Sequence, residues 1–167
     1  MRATLAALPV LGLVLMLQIA IVSQIALLNG HADLLLLVLC AWAIQERVRN
    51  PWYWVVIGGL LIQFVTAMPL GVPLIAYAAG AGIALLLRRR LWQSPIFGML
   101  SAVFLASLLN YGIQWFALTL AGSNLPIAIV MSSIILPGTL LNLLVAIPVY
   151  GWVRDLAEWL YPDDTLL

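Results

Sequence analysis

Few side chains in this sequence could do chemistry inside a protein, and the first to consider is an aspartate. Asp33 stands immediately before an apolar run that begins at Leu34. An aspartate in that place typically accepts the backbone N–H groups that the first turn of a helix leaves unpaired. We therefore predict that Asp33 is a helix N-cap. His31 is the single histidine of the chain, and we expect it to lie in a polar loop.

The sequence lacks a set of residues that would support catalysis, and we predict that the chain is not an enzyme. Enzymes and ion pumps that act within a bilayer usually need ionisable groups there. With one histidine, neither a histidine-based metal site nor a Ser-His-Asp relay can be assembled. The single cysteine, Cys40, lies in an apolar run and is expected to be a small buried hydrophobe. We therefore predict no catalytic residue, no metal site and no cofactor.

Uncharged polar residues inside apolar segments are more informative. Gln63 is predicted to lie in the middle of a helix, Asn110 and Gln114 deep in a later one, and Asn142 five residues after Pro137. Hydrogen bonds between such groups hold membrane helices together, typically by less than about 2 kcal/mol. These residues either form hydrogen bonds between helices of this chain, or they line a substrate pocket or contact a partner protein.

Small residues recur at every fourth position in two neighbouring apolar segments. Such a stripe lets two helix backbones approach closely in a medium where the hydrophobic effect gives no help. The stripes predict a seam between the two helices or a face on which another protein docks. Their members are Ala76, Gly80 and Ala84 in the first segment, and Gly98, Ala102 and Ala106 in the second.

The composition indicates which type of secondary structure carries these residues. Hydrophobic residues make up 65% of the 167 residues and charged residues only 8%. A soluble domain carries roughly a quarter charged residues, so most of this surface must face lipid. In lipid every backbone polar group needs a partner, and continuously apolar runs such as Leu34–Leu39 favour helices over barrel strands. The chain is therefore predicted to be a single all-α, multi-pass membrane domain over residues 1–167, with no nucleic-acid partner.

About six apolar segments are predicted to cross the bilayer. The second is too short for an ordinary span, which needs about 20 residues, so it thins the bilayer, tilts little, is shielded by its neighbours or is re-entrant. The predicted segments are Thr4–Leu28, Asp33–Ile44, Trp52–Met68, Val72–Leu87, Pro95–Leu120 and Ser133–Val153, the last with a partly helical lead-in from Leu125.

The arginines indicate the orientation. If every segment crosses, Arg2, Arg47, Arg49, Arg88–Arg90 and Arg154 all fall on one side, and the opposite loops carry no lysine or arginine. Positive residues mark the cytoplasmic side of a membrane protein. Both termini are therefore predicted to be cytoplasmic.

Several motifs together resemble MreD, the family of small multi-spanning rod shape-determining proteins of bacteria. The resemblance covers most of the chain. It rests on Ala32–Leu37, Gly58–Gln63, Pro69-Leu70-Gly71 with Ala76-Tyr77, Arg88–Arg90, and Leu136-Pro137 with Leu141-Asn142. The family commonly has an aspartate where Gln63 stands and a proline where Ala32 stands. Any role of charge at position 63 is therefore in doubt.

The resemblance implies a non-catalytic scaffold of the cell-elongation machinery in the bacterial cytoplasmic (inner) membrane. Its partners would be membrane lipids, an MreC-like single-span protein, peptidoglycan synthases and the MreB filament system. No small-molecule substrate is expected. MreD proteins are also similar to the substrate-binding subunits of energy-coupling-factor vitamin transporters, which have about six helices. Such a subunit is the alternative function, with Gln63, Asn110, Tyr111 and Trp115 as possible pocket residues.

Overall fold

A computed structural model describes residues 2–89 and 95–162, and these residues form a bundle of α-helices with one small hairpin. Arg90 and the acidic end of the chain lie outside them. The helices are α1 (Arg2–Ala20), α2 (Leu34–Ile44), α3 (Trp52–Gln63), α4 (Val72–Arg88), α5 (Pro95–Leu120), α6 (Ile127–Val130) and α7 (Leu136–Leu160). The predicted all-α class is confirmed.

Three stretches are long and apolar enough to cross a membrane: Leu5–Gln24, Pro95–Leu120 and Ile127–Leu160. The predicted bounds of α5 match the structure, and α4 ends one residue beyond its prediction. The first predicted helix was too long, because α1 ends at Ala20 rather than at Leu28. The third was also too long, because α3 ends at Gln63 rather than at Met68.

Helix α2 is short and is enclosed by protein. Its 11 residues extend for about 16 Å, roughly half of the hydrocarbon thickness of a bilayer. All of its residues from Leu35 to Ile44 are buried. Helices α4, α5 and α7 pack around it, together with α1 and α3. Of the predicted alternatives for the second segment, the structure shows shielding by the neighbouring helices.

The last helical stretch runs without a break from Ile127 to Leu160. Its first part contains a π-helical turn at Met131–Ile135, just before Pro137. A proline has no N–H to donate to the carbonyl four residues earlier, so the carbonyl of Ser133 is left without its usual helical partner. The backbone N–H of Asn29 donates to that carbonyl at 3.0 Å.

Asn29 belongs to a hairpin that the sequence did not predict. Strands β1 (Ala26–Leu27) and β2 (Gly30–His31) pair antiparallel through the two-residue turn Leu28-Asn29. Leu28 adopts a positive φ of 56° in this turn. The hairpin fills the space between the end of α1 and the start of α2, so α2 begins inside the bundle.

Candidate functional site: a closed polar cluster around Asp33

Asp33 lies at the N-terminus of α2, and both oxygens of its carboxylate accept hydrogen bonds. One oxygen, Oδ1, accepts the backbone N–H of Leu36 at 3.0 Å, which is the N-cap bond expected from the sequence. The other oxygen, Oδ2, accepts the hydroxyl of Tyr77 at 2.7 Å and Nδ2 of Asn110 at 3.2 Å. The same carboxylate therefore caps one helix and fastens it to α4 and α5.

Asn142 extends this network to α7. Its Oδ1 accepts the backbone N–H of Asp33 at 2.7 Å, and its Nδ2 donates to Oγ of Ser107 at 2.8 Å. Gln114 donates to Oδ1 of Asn110 at 3.1 Å, one helical turn away. We call Asp33, Tyr77, Ser107, Asn110, Gln114 and Asn142 the Asp33 cluster, and it joins α2, α4, α5 and α7.

The centre of the cluster is closed to solvent. Ser107, Asn110 and Asn142 are fully buried, Tyr77 is 2% exposed and Asp33 is 8% exposed. Within the described residues, no group of three or more histidine, cysteine, aspartate or glutamate side chains could hold a metal ion. Tyr77, Asn110 and Asn142 each donate to an acceptor within the cluster, so the arrangement holds the helices together.

Two further contacts fix the chain around Asp33. Oε1 of Gln18, on α1, accepts the backbone N–H of Leu35 at 3.0 Å, which pairs a second N–H of the first turn of α2. The hydroxyl of Tyr111 donates to the carbonyl of His31 at 2.9 Å. This bond holds the hairpin against α5.

The hairpin also approaches α7 closely at a pair of glycines. A Cβ atom on Gly30 would meet the backbone N of Gly138, and one on Gly138 would meet the hydroxyl of Tyr111. Side chains at either position would push the hairpin away from the carbonyl of Ser133. Gly30 is therefore required by a close approach of backbone to backbone, and Gly138 by its contact with the side chain of Tyr111.

Gln63 is not part of the cluster. Instead of the middle of a helix, it occupies the last residue of α3, where the helix ends earlier than predicted. Its Oε1 accepts the N–H of Gly71 at 2.8 Å and its Nε2 donates to the carbonyl of Met68 at 3.3 Å. Gln63 therefore closes the α3–α4 turn. Trp115 is also engaged elsewhere, because its indole N–H donates to the carbonyl of Leu125 at 3.2 Å.

The two small-residue stripes lie in the interior between α4 and α5. Ala76, Ala84, Ala102 and Ala106 are fully buried, and Gly80 and Gly98 are buried as well. A Cβ atom on Gly80 would lie 3.3 Å from Cβ of Ala106. The stripes therefore let the backbones of α4 and α5 approach each other closely. This close approach brings the side chains of Tyr77, on α4, and Asn110, on α5, to the carboxylate of Asp33.

Arginines gather at one end of the bundle, which we call the arginine end. Arg88 donates through Nη1 to the carbonyls of Ala43, Gln45 and Val48, at 3.2, 2.8 and 3.0 Å. These carbonyls lie at and just after the C-terminus of α2, where a cation is favourable. Arg47 and Arg154 line one cavity together with Arg88, and Arg49 and Arg89 line another.

Sequence reasoning found Asp33, Asn110, Gln114 and Asn142 but missed Tyr77 and Ser107. Tyrosine and serine are ordinary in membrane helices, so neither type marks a position as special. One signal was present for Ser107, since it lies three residues before Asn110 and therefore on the same helix face. Tyr77 was singled out only as part of the Ala76-Tyr77 motif, and nothing in that motif indicated a hydrogen bond to Asp33.

No protein-family model matches the chain, and no curated protein or solved structure is a significant match to it. The likeness to MreD proteins therefore rests on its motifs alone.

Proposed function

We propose that this protein is a non-catalytic membrane scaffold of the bacterial cell-elongation machinery, of the MreD type. The observation that carries the proposal is the closed Asp33 cluster. The polar residues that would have to bind a substrate or move a proton are hydrogen-bonded to one another. A helical platform held together in this way can present lipid-facing surfaces to other membrane proteins without chemistry of its own.

The linings of three surface cavities also support a scaffold rather than a substrate-binding subunit. Three surface cavities, of about 290, 560 and 380 Å³, are lined by residues other than Asp33, Tyr77 or Asn110. The residues proposed for a vitamin pocket make separate contacts, with Gln63 in the α3–α4 turn and Asn110 on the carboxylate. Ligand sites usually combine a roomy apolar cavity with a few converging polar groups.

The proposed topology has six crossings with both termini in the cytoplasm. The hairpin and α2 together form the second crossing, because α2 alone extends for only about 16 Å. The gathering of described arginines at one end supports this arrangement by the positive-inside rule. Reporter fusions at Asn29, Gly71 and Gly122 should report the outside, and a fusion after Arg49 the inside. A cytoplasmic signal at Asn29 would overturn this topology.

The proposed partners are an MreC-like single-span protein, peptidoglycan synthases and the MreB system. The protein should be purified from its native host in mild detergent through an affinity tag, and the co-eluting proteins identified. An equally tagged, unrelated multi-pass protein from the same membrane is the control. We expect elongation proteins to elute only with this chain. A membrane coupling subunit together with ATPases would instead favour the transporter alternative.

A second measurement separates the two functions independently of partner stability in detergent. Depletion of the protein in a rod-shaped host should turn the cells round, and re-expression should restore the rods. Calorimetry on the purified protein should show no saturable vitamin binding. Cells that remain rods, together with a stoichiometrically bound vitamin, would refute the scaffold function.

A further inference from the structure

The cavity of about 290 Å³ at the arginine end combines arginine side chains with the buried amide of Gln45. It lies where the C-terminus of α2, the end of α4, the start of α5 and part of α7 meet. Its charged lining residues are Arg47, Arg88, Arg154, Glu46 and Glu158. The volume is several times the roughly 30 Å³ that one water molecule occupies in the liquid, so a phosphate-sized group fits.

Gln45 lines this cavity and has an unpaired donor. The residue is only 8% exposed, and among the described residues its Nε2 has no hydrogen-bond partner. Its backbone is fixed in place, because its carbonyl accepts Nη1 of Arg88 at 2.8 Å. A buried amide without an acceptor is costly, so a ligand that brings an oxygen acceptor to Nε2 would be favoured.

The positive groups of the cavity suit the same kind of ligand. Arg88 is held beside Gln45 by its three bonds to the carbonyls around the end of α2, so its guanidinium is pre-organised. The first turn of the 26-residue helix α5 lines the cavity through Pro95 and Gly98, and a helix N-terminus favours an anion. The two glutamates of the lining are exposed, as are Arg47 and Arg154, so the half-buried Arg88 is the least exposed charged residue of the lining, next to the buried Gln45.

We propose that this cavity is a binding site for a phosphate-type oxyanion, held by the amide of Gln45 and by the guanidinium groups of Arg88 and Arg154. Two sources carry that chemistry at a membrane surface: the headgroup of a phospholipid in the adjacent leaflet and free inorganic phosphate. The site does not depend on the scaffold function, since a bound lipid headgroup would fix the depth of the arginine end in any membrane protein.

The test uses the full chain in detergent and three probes. These are inorganic phosphate, phosphatidylglycerol, and diacylglycerol with the same acyl chains but no phosphate. Tm is measured with each probe, and native mass spectrometry counts the retained lipids. A rise in Tm with inorganic phosphate identifies the free anion as the ligand. A rise with phosphatidylglycerol alone identifies the lipid headgroup. An equal rise with diacylglycerol, or no rise with either phosphate probe, overturns the proposal.

Variants show whether the named residues form the site. Gln45→Met removes the unpaired amide at similar size and unchanged charge, and Arg154→Gln removes an exposed charge of the lining. The matched control is Arg89→Gln, which removes an exposed charge at the same end but outside this cavity. The probe that raises Tm of the wild type is called the active probe. We expect Gln45→Met and Arg154→Gln each to bind it roughly tenfold more weakly, as for a lost hydrogen bond to a charged group. The control should bind like the wild type.

Gln45→Met also separates lost binding from damaged folding. Without any probe its Tm should equal or exceed that of the wild type, because a buried unpaired amide is removed. With the active probe its rise in Tm should be smaller. Undiminished binding by Gln45→Met, or equal losses in Arg154→Gln and Arg89→Gln, would show that the probe is attracted by the general charge of the surface, and the proposal would be wrong.

Discussion

Replacement of Asp33 by alanine should destabilise the protein strongly, although the residue carries no catalytic function in our proposal. The substitution removes the N-cap of α2, a loss of typically about 1 kcal/mol. It also leaves the hydroxyl of Tyr77 and the amide of Asn110 buried without an acceptor, each at about 1–3 kcal/mol. The substitution also removes the cost of burying a carboxyl group, which offsets part of these losses. We expect the free energy of unfolding to fall by about 2–5 kcal/mol.

Replacement by asparagine should cost less, and the difference tests the hydrogen-bond assignment. The asparagine keeps one oxygen for the N–H of Leu36, and the hydroxyl of Tyr77 can turn to accept a hydrogen bond instead of donating one. Only the amide of Asn110 then lacks its acceptor, at about 1–3 kcal/mol. The expected order of stability is therefore wild type, Asp33→Asn, then Asp33→Ala.

The free energy of unfolding is measured in mixed micelles by titration with sodium dodecyl sulfate, with Tm as a second readout. Asp155→Ala is the matched control, because Asp155 is 69% exposed and pairs with Arg154 at the surface at 3.3 Å. An exposed pair contributes at most about 1 kcal/mol, so this control should stay close to the wild type. An Asp33→Ala protein as stable as the control would refute the structural role of the cluster.

Three further substitutions test the packing, each by Tm in detergent. Gly138→Ala should lower Tm because its Cβ meets a tyrosine hydroxyl, whereas Gly151→Ala in the same helix has open space and should raise stability by up to about 1 kcal/mol. Ala102→Leu should cost about 1–3 kcal/mol by overpacking the α4–α5 seam, and unchanged stability would place that stripe outside the core. Arg88→Leu should cost about 2–3 kcal/mol by uncovering carbonyls around the end of α2, and its exposed neighbour Arg89→Leu should cost little.

The sequence predicted the long helices well because their ends carry strong local signals. Pro95 starts α5 and Gly122 follows its end, so the prediction for Pro95–Leu120 matches the structure. The end of α1 was missed because Ile21–Leu28 is as apolar as the helix before it. After α1 the chain makes a 3-10 turn at Val22–Gln24 and then the hairpin, which a tertiary contact holds, the bond from the N–H of Asn29 to the carbonyl of Ser133. No local pattern near residue 21 reports on a carbonyl more than a hundred residues away.

Several residues of the candidate site were predicted individually, but the sequence did not predict that they hydrogen-bond to one another. Asn110 and Asn142 stood out because polar side chains are costly in apolar helices, and both are fully buried. That they meet at Asp33 depends on the depth at which α2 starts, and the hairpin sets that depth. Gln63 stood out for the same reason as the two asparagines, yet it closes a turn, because α3 ends where the sequence still appeared helical.

The burial of α2 has a consequence for biosynthesis. A segment of 11 residues is too short to remain in the bilayer as an independent span, and lipid contact cannot replace the protein that surrounds it. Three of the helices that enclose it, α4, α5 and α7, leave the ribosome after it. During synthesis α2 therefore lacks part of the protein that surrounds it until α7 has been made and Oδ1 of Asn142 accepts the N–H of Asp33. Helix α7, which follows the other described helices in the chain, completes the centre of the protein, so chains truncated before α7 should be degraded rather than accumulate as shorter bundles.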